Sequence, residues 1–351
     1  MIDRNEALRK LAMNMARYSG IAPLAKPLMG GLGAILMLHH VSDDMPKPLG
    51  LNAHLTITPG FLDEVLTLMK QMGYIFVDMD EALSRIRKPV PGLRFATITA
   101  DDGYRDNLVE ALPVLEKHGA PITVYVAPGL VEGAVDIWWE LVEDIVTIAD
   151  AVRLPGNGVS VEFDCRTEAA KRDSFWRIMK HLSESVSEED QRDVVRDMAR
   201  KAGIDVKPAR NNVMNWKEIG RMAGHPLVTI GAHTVHHFNL KRLPEPQALA
   251  EMADAAARIA GATGEMPRHM AFPYGFRSAV GRREVELARR AGFASAVTTR
   301  HGLIRPGHAR HLRALPRISL NGRYQNVGYV GTMLSGVTTP LANAGRQLVT
   351  V

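Results

Sequence analysis

The stretch Thr97-Ile98-Thr99-Ala100-Asp101-Asp102-Gly103 decides how the rest of the chain is read. An apolar, β-branched run stops abruptly at two adjacent carboxylates and a glycine. Read as a buried strand over 95–100, it sets Asp101 and Asp102 at a strand's C-terminal end, where α/β folds hold their chemistry. Neighbouring side chains of an extended segment diverge, so one carboxylate can bind a metal while the other takes a proton. Asp-Asp-Gly is equally good cap or turn chemistry, and this stretch alone does not separate the two readings.

Outward from it, strand and helix signals alternate. Residues 34–38 read as a first buried strand that delivers His39 and His40 at its end. Thr58-Pro59 gives a helix N-cap and a first-turn proline; Phe61, Leu62, Val65, Leu66 and Met69 follow at helical spacing, and Gly73 closes the helix. A short strand over 74–77 comes next, then a brief helix through Ile86 capped by Asp80. Beyond the two aspartates a helix is expected over 107–117, stopped by Gly119, and a strand over 121–126. This rhythm argues for parallel βαβ units.

The rhythm breaks between about Pro128 and Pro226, where helical patterns fall near 137–149, 168–182 and 188–202 and a hairpin is expected to turn at Gly156-Asn157-Gly158. Ser187 with Asp190 resembles a capping box. Strand signals resume at 227–230, 270–272, 295–298 and 315–320, with helices over 245–260 and 284–291. Seven or eight parallel strands suit a deformed (β/α) barrel with a helical insertion better than an open sheet. The tail from Val337 reads as loosely ordered.

Composition sets bounds. The 351 residues are 46% hydrophobic and 23% charged, with formal charge +5 and pI near 9.3, ordinary for a soluble domain. No dense Lys/Arg block marks a nucleic-acid surface. A single cysteine, Cys165, rules out an internal disulfide. Charged residues within 1–18 break any secretory apolar core, and 28–38 is too short to span a bilayer. A cytoplasmic protein is expected. The first helix is amphipathic enough for peripheral membrane contact through residues 1–18; packing against the domain is the alternative.

Gly231-Ala232-His233-Thr234-Val235-His236-His237 is the second informative stretch. On a helical turn, His233 and His237 point to one side, as metal ligands require. Asp102 completes a His₂Asp set suited to a catalytic Zn²⁺. His236, between them, is assigned a supporting role.

Asp-Asp-Gly after one strand, His-Thr-x-x-His after a later one and Phe272-Pro273-Tyr274-Gly275 after a third occur in order. This combination resembles the polysaccharide deacetylase family (carbohydrate esterase family 4, the NodB homology domain) over roughly residues 34–320. The resemblance implies a barrel that removes N-acetyl groups from amino sugars with one divalent metal, most simply Zn²⁺. By position, Asp102, His233 and His237 would be the metal ligands and Asp101 the base activating a metal-bound water. The Tyr274 backbone N–H would stabilise the oxyanion. Many members carry a general-acid histidine late in the domain, and no such segment follows 315. Leu36-Met37-Leu38-His39-His40-Val41 instead resembles an N-terminal variant of that motif, which makes His39 the general acid and His40 the fallback. The arginine common near the Pro-Tyr segment is absent; Arg317 is the candidate to orient Asp101, with a surface ion pair as its other reading. Trp138 and Trp139 either stack on a sugar ring or belong to the core of the inserted helices.

The expected organisation is an N-terminal amphipathic helix and linker (1–33), a NodB-like barrel (34–322) with the insertion at about 130–222, and a C-terminal helix and tail (323–351). The expected activity is metal-dependent N-deacetylation of an amino sugar in an oligosaccharide or polysaccharide precursor, with an N-acetylated glycan as partner and no nucleic acid. A deformylase or other linear-amide hydrolase acting on a lipid-linked sugar would use the same machinery. A catalytically silent carbohydrate-binding scaffold is the third reading.

Overall fold

A computed structural model describes residues 4–44, 47–154, 161–206 and 211–351. Eight parallel strands organise it: β1 (Gly33–Leu38), β2 (Tyr74–Phe76), β3 (Arg94–Ala100), β4 (Ile122–Val126), β5 (Val228–Ala232), β6 (His269–Ala271), β7 (Ser295–His301) and β8 (Leu315–Ser319). Seven close a ring in the order β1-β3-β4-β5-β6-β7-β8, with β8 returning to β1 through Leu36↔Ile318 and Met37↔Ser319. The eighth stays outside. β2 pairs with the first half of β3 (Tyr74↔Arg94 to Phe76↔Ala96), and β4 takes the second half of the same edge (Ile98↔Ile122 to Ala100↔Val124). The fold is therefore a seven-stranded (β/α) barrel.

Strand alternation sorts the residues. Leu36, Ala96, Ile98, Ala100 and Val124 face outward and share one core with Leu62, Val65, Leu66 and Met69 of the Pro59–Gln71 helix. Burying each leucine, isoleucine, valine or methionine among them contributes about 1.5–3 kcal/mol. The opposite parity brings Thr97, Thr99, Thr123, Tyr125 and Arg317 into the lumen, all buried. Carrying the β3 alternation one residue further aims Asp101 at the same interior. The polar lumen thus follows from the sequence of β3, β4 and β8.

Between β4 and β5 the chain leaves the ring and builds a second apolar core. It combines Trp138, Trp139, Leu141 and Ile145 of the Trp138–Ile148 helix, Phe175 and Leu182 of Glu168–Glu184, and Val195 and Met198 of Gln191–Lys201. Ala151–Leu154 and Val161–Asp164 pair antiparallel; the expected Gly156-Asn157-Gly158 turn lies outside the described residues. Ile219 and Met222 of the Trp216–Ala223 helix pack in the barrel core, so the chain has returned to the ring before that helix.

Three local expectations are corrected. The cap of the Met79–Arg87 helix is Asp78, whose carboxylate accepts from the Glu81 N–H at 2.8 Å, not Asp80. The helix after the aspartates opens with a wide turn over Asn107–Ala111 before the regular Leu112–His118 helix. The tail is packed: Thr338–Ala342 is helical, Val349 is buried, and its carbonyl lies 2.9 Å from His308 Nε2.

Candidate metal and catalytic centre

The lumen-facing pair comes first. Arg317 donates from Nη1 and Nη2 to the two oxygens of Asp101, each at 2.7 Å, while Nη1 also reaches Thr99 Oγ1 (3.1 Å) and Nε the Thr298 carbonyl (2.9 Å). Both side chains are buried. A bidentate guanidinium–carboxylate pair in a fully satisfied setting is the arrangement that offsets the desolvation of two charges. Burial alone would push Asp101 up, but the Arg317 charge and hydrogen bonds hold it well below the ordinary carboxylate range. Arg317 is therefore an interior partner of Asp101, not a surface ion pair.

Asp102 turns away. Its φ of +70° lies in the left-handed region, which splits the directions of the two adjacent carboxylates more sharply than an extended chain would. Its Oδ1 is buried without a hydrogen-bond partner among the described residues and lies 3.5 Å from His233 Nε2 and 3.4 Å from His237 Nε2. The three side chains can offer ligand atoms all within 4.8 Å of one another. Burial and the neighbouring Asp101 charge raise the Asp102 carboxyl well above its ordinary value, and burial pushes both imidazoles down. Neutral imidazoles, an orphaned carboxylate oxygen and this spacing fit a divalent cation.

The histidine loop reaches this geometry without a helical turn, which corrects the expectation. Thr234 (φ +59°) and His237 (φ +56°) are left-handed, and the segment after β5 is irregular. Its shape is imposed by neighbours. The His233 N–H donates to the Val126 carbonyl (2.8 Å), and its Nδ1 donates to the Ala271 carbonyl (2.8 Å), leaving Nε2 as the unprotonated nitrogen facing Asp102. Gly129 donates to the Val235 carbonyl at 2.8 Å, an approach that a Cβ, which would fall 2.6 Å from that oxygen, would prevent. Glu251 accepts from the Val235 and His236 N–H groups (3.0 and 2.8 Å) and pairs with His236 Nδ1 at 2.5 Å. His236 thus anchors the loop from outside. Glu251, on the Glu245–Thr263 helix, is a positioning residue that no local signal near the histidines announces.

Of five non-glycine residues with positive φ among the described residues, four are Asp102, Thr234, His237 and Tyr274. Such strain persists where the surroundings over-determine it and clusters at functional sites. Tyr274 has φ +62°; Thr299 Oγ1 donates to its carbonyl at 2.7 Å, and its N–H makes no hydrogen bond among the described residues. The Tyr274 and Trp139 rings lie 5.3 and 5.0 Å from the His237 ring. Trp138 and Trp139 are both buried in the insertion core, so Trp139 walls the histidines and neither ring presents an open stacking face.

The two strand-end histidines have different surroundings. His39 Nε2 lies 3.9 Å from Asp101 Oδ2, and burial pushes its imidazole down to about 3. His40 bridges Asp106 (Nδ1, 2.5 Å) and Glu140 (Nε2, 3.1 Å) with its ring against Tyr104. Burial opposes the charge on His40, but these two carboxylates outweigh it and raise the imidazole to about 9. The native state therefore keeps a proton that the unfolded chain releases near 6.5. That stabilisation is complete below pH 6.5 and is lost as pH rises through 9, on the order of 3 kcal/mol. Denaturant unfolding at pH 6.5 and 9 should show the loss in wild type and a much flatter dependence in His40→Gln. His40 and Glu140 also line a cavity of about 880 Å³ bordered by Lys47, Asn52, Asp106 and Gln325.

The family model for polysaccharide deacetylase matches residues 190–296, which hold both histidines and Tyr274. Over that segment the chain matches the polysaccharide deacetylase family. Comparison with curated protein sequences finds no match. Among solved structures, the Streptococcus pyogenes deacetylase PplD, determined in complex with acetate, is 19% identical with a TM-score of 0.56, covering 86% of this chain and 97% of its own. IcaB from Ammonifex degensii is 18% identical at a TM-score of 0.54, covering 87% and 98%. A de-N-acetylase from Aggregatibacter actinomycetemcomitans is 14% identical at 0.51, covering 86% and 99%. These likenesses show that this chain shares their fold. Asp101 and Asp102 lie outside the matched segment, and it is the lumen geometry that unites them with the histidines.

Proposed function

We propose that this carbohydrate deacetylase hydrolyses the N-acetyl group of an amino sugar within an oligosaccharide or polysaccharide precursor, with a divalent cation, most simply Zn²⁺, held by Asp102, His233 and His237. The observation that carries the reading is the buried Asp102 oxygen, without a hydrogen-bond partner among the described residues, facing two neutral imidazoles. A cation there supplies Lewis-acid polarisation and brings the pKa of water toward ~7.

The chain's own residues supply the rest. Asp101, fixed by Arg317, keeps its charge across the working pH range and accepts the proton of the attacking water. His39, 3.9 Å from Asp101, rests neutral, so the proton it hands to the departing amine is the one Asp101 has taken from the water, and both groups return to their starting states. The Tyr274 N–H, held forward by its strained backbone, donates to the developing oxyanion, a contact of the kind worth about 3–4 kcal/mol. Acetate release from N-acetylated glucosamine oligosaccharides by the metal-loaded protein tests the proposal. Asp101→Asn should keep the metal yet lose about 10²–10⁴ of kcat. Unchanged turnover in that variant would remove Asp101 as the base.

A further inference from the structure

We propose that the outer face of the two N-terminal helices, Arg4–Tyr18 and Ile21–Met29, docks on an anionic lipid surface. Leu11, Met15 and Tyr18 recur at i, i+4 and i+7 on the first helix, and Leu24 and Leu28 at i and i+4 on the second; all five are between 56% and 84% exposed. Five large apolar side chains turned to water on two consecutive helices are more than the scattered exposure of an ordinary surface. The helices are not detached. Ala16 is buried, Lys10 sits over the Tyr324 ring at 5.3 Å, and Arg17 donates to Asn326 Oδ1 at 3.3 Å. On the second helix, Arg94 and Arg305 hold the Lys26 and Met29 carbonyls at 3.0 and 2.7 Å. The barrel grips one side of this pair and leaves Leu11, Leu24 and Leu28 outward.

Charge selects the occupant. From Ala7 to Ser42 the sequence has no Asp or Glu but contains Arg9, Lys10, Arg17 and Lys26. No Asp or Glu follows Glu286, and that acid-free C-terminal segment packs against the first of these helices through Val327–Leu334. Apolar side chains among cations, with carboxylates excluded from both segments, match a bilayer surface bearing anionic headgroups. This inference does not depend on the chemistry in the barrel.

Vesicle flotation tests it, comparing phosphatidylcholine alone with phosphatidylcholine–phosphatidylglycerol mixtures. The full chain should float with the anionic vesicles at least about tenfold more than with the neutral ones and be released by high salt. Leu11→Ser/Met15→Ser/Leu24→Ser/Leu28→Ser should lose that binding while its thermal melt and glycan deacetylation stay unchanged. The single exposed change Leu24→Glu should weaken it in the same direction. Flotation of the fourfold variant equal to wild type, or no flotation of wild type with anionic vesicles, overturns the proposal. So does a doubled mass in light scattering that the fourfold change abolishes without any vesicle binding, since a second copy would then cover the face.

Discussion

Asp102→Asn is expected to strip the protein of retained divalent metal and lower kcat/KM by about 10³-fold or more, the scale of several kcal/mol of transition-state stabilisation. The same change should leave the metal-free fold as stable as metal-free wild type, or more so. In the wild-type chain a second carboxylate is buried beside Asp101 with no partner for one of its oxygens among the described residues, and replacing it by an amide of the same shape removes the like-charge repulsion. Added Zn²⁺ should raise the melting temperature of wild type and not of the variant, by mass action on the native state. Elemental analysis and melts with and without chelator read both effects. Metal retained at wild-type level by Asp102→Asn would end the ligand assignment.

Arg317→Met should be the most damaging single change to stability in the lumen. It leaves the Asp101 charge buried and unpaired, a loss of about 3–5 kcal/mol, read as a drop of several degrees in melting temperature. The double variant Arg317→Met/Asp101→Asn should recover most of that stability and none of the activity, because no charge is then stranded. The pH consequence has a definite sign. With Arg317 in place the folded Asp101 carboxyl is depressed, so its contribution to stability is present above the unfolded carboxylate pKa of ~3.9 and fades as pH falls. Without the guanidinium the carboxyl rises, and in any residual activity an acid limb should move toward neutral pH.

The barrel was legible because its strands carry their own signals. Phe95 to Ala100 is apolar and β-branched and ends in chemistry, and strand parity alone sends Asp101 and Arg317 into one lumen. Seven or eight strands was as far as periodicity reached. Nothing in Tyr74–Phe76 reveals that the strand pairs only with the first half of β3, since that is decided by how the ring closes. Asp102, His233 and His237 were likewise visible as residue types after strands, while the conformation bringing them together was not. Thr234 and His237 adopt a backbone that their side chains disfavour, because Glu251, Gly129 and Ala271 from three other places in the chain hold the loop. The His40–Asp106–Glu140 network was hidden for the same reason: its members are separated by 66 and 100 residues and meet only after folding. Burial of Val349 depends on Gly302 and His308, which a reading of the tail alone does not include.

Ring closure has a consequence for how the protein is made. β1 is hydrogen-bonded to β3 on one side and to β8 on the other, so a strand synthesised near the start waits for one near the end. Until Leu315–Ser319 leaves the ribosome, β1 and β7 each keep an unsatisfied edge, the kind of surface that invites wrong pairings. Asp101 has no guanidinium partner during all that time. Completing the sheet and pairing Asp101 with Arg317 are one event, so a chain ending before residue 315 has neither a closed barrel nor that buried ion pair.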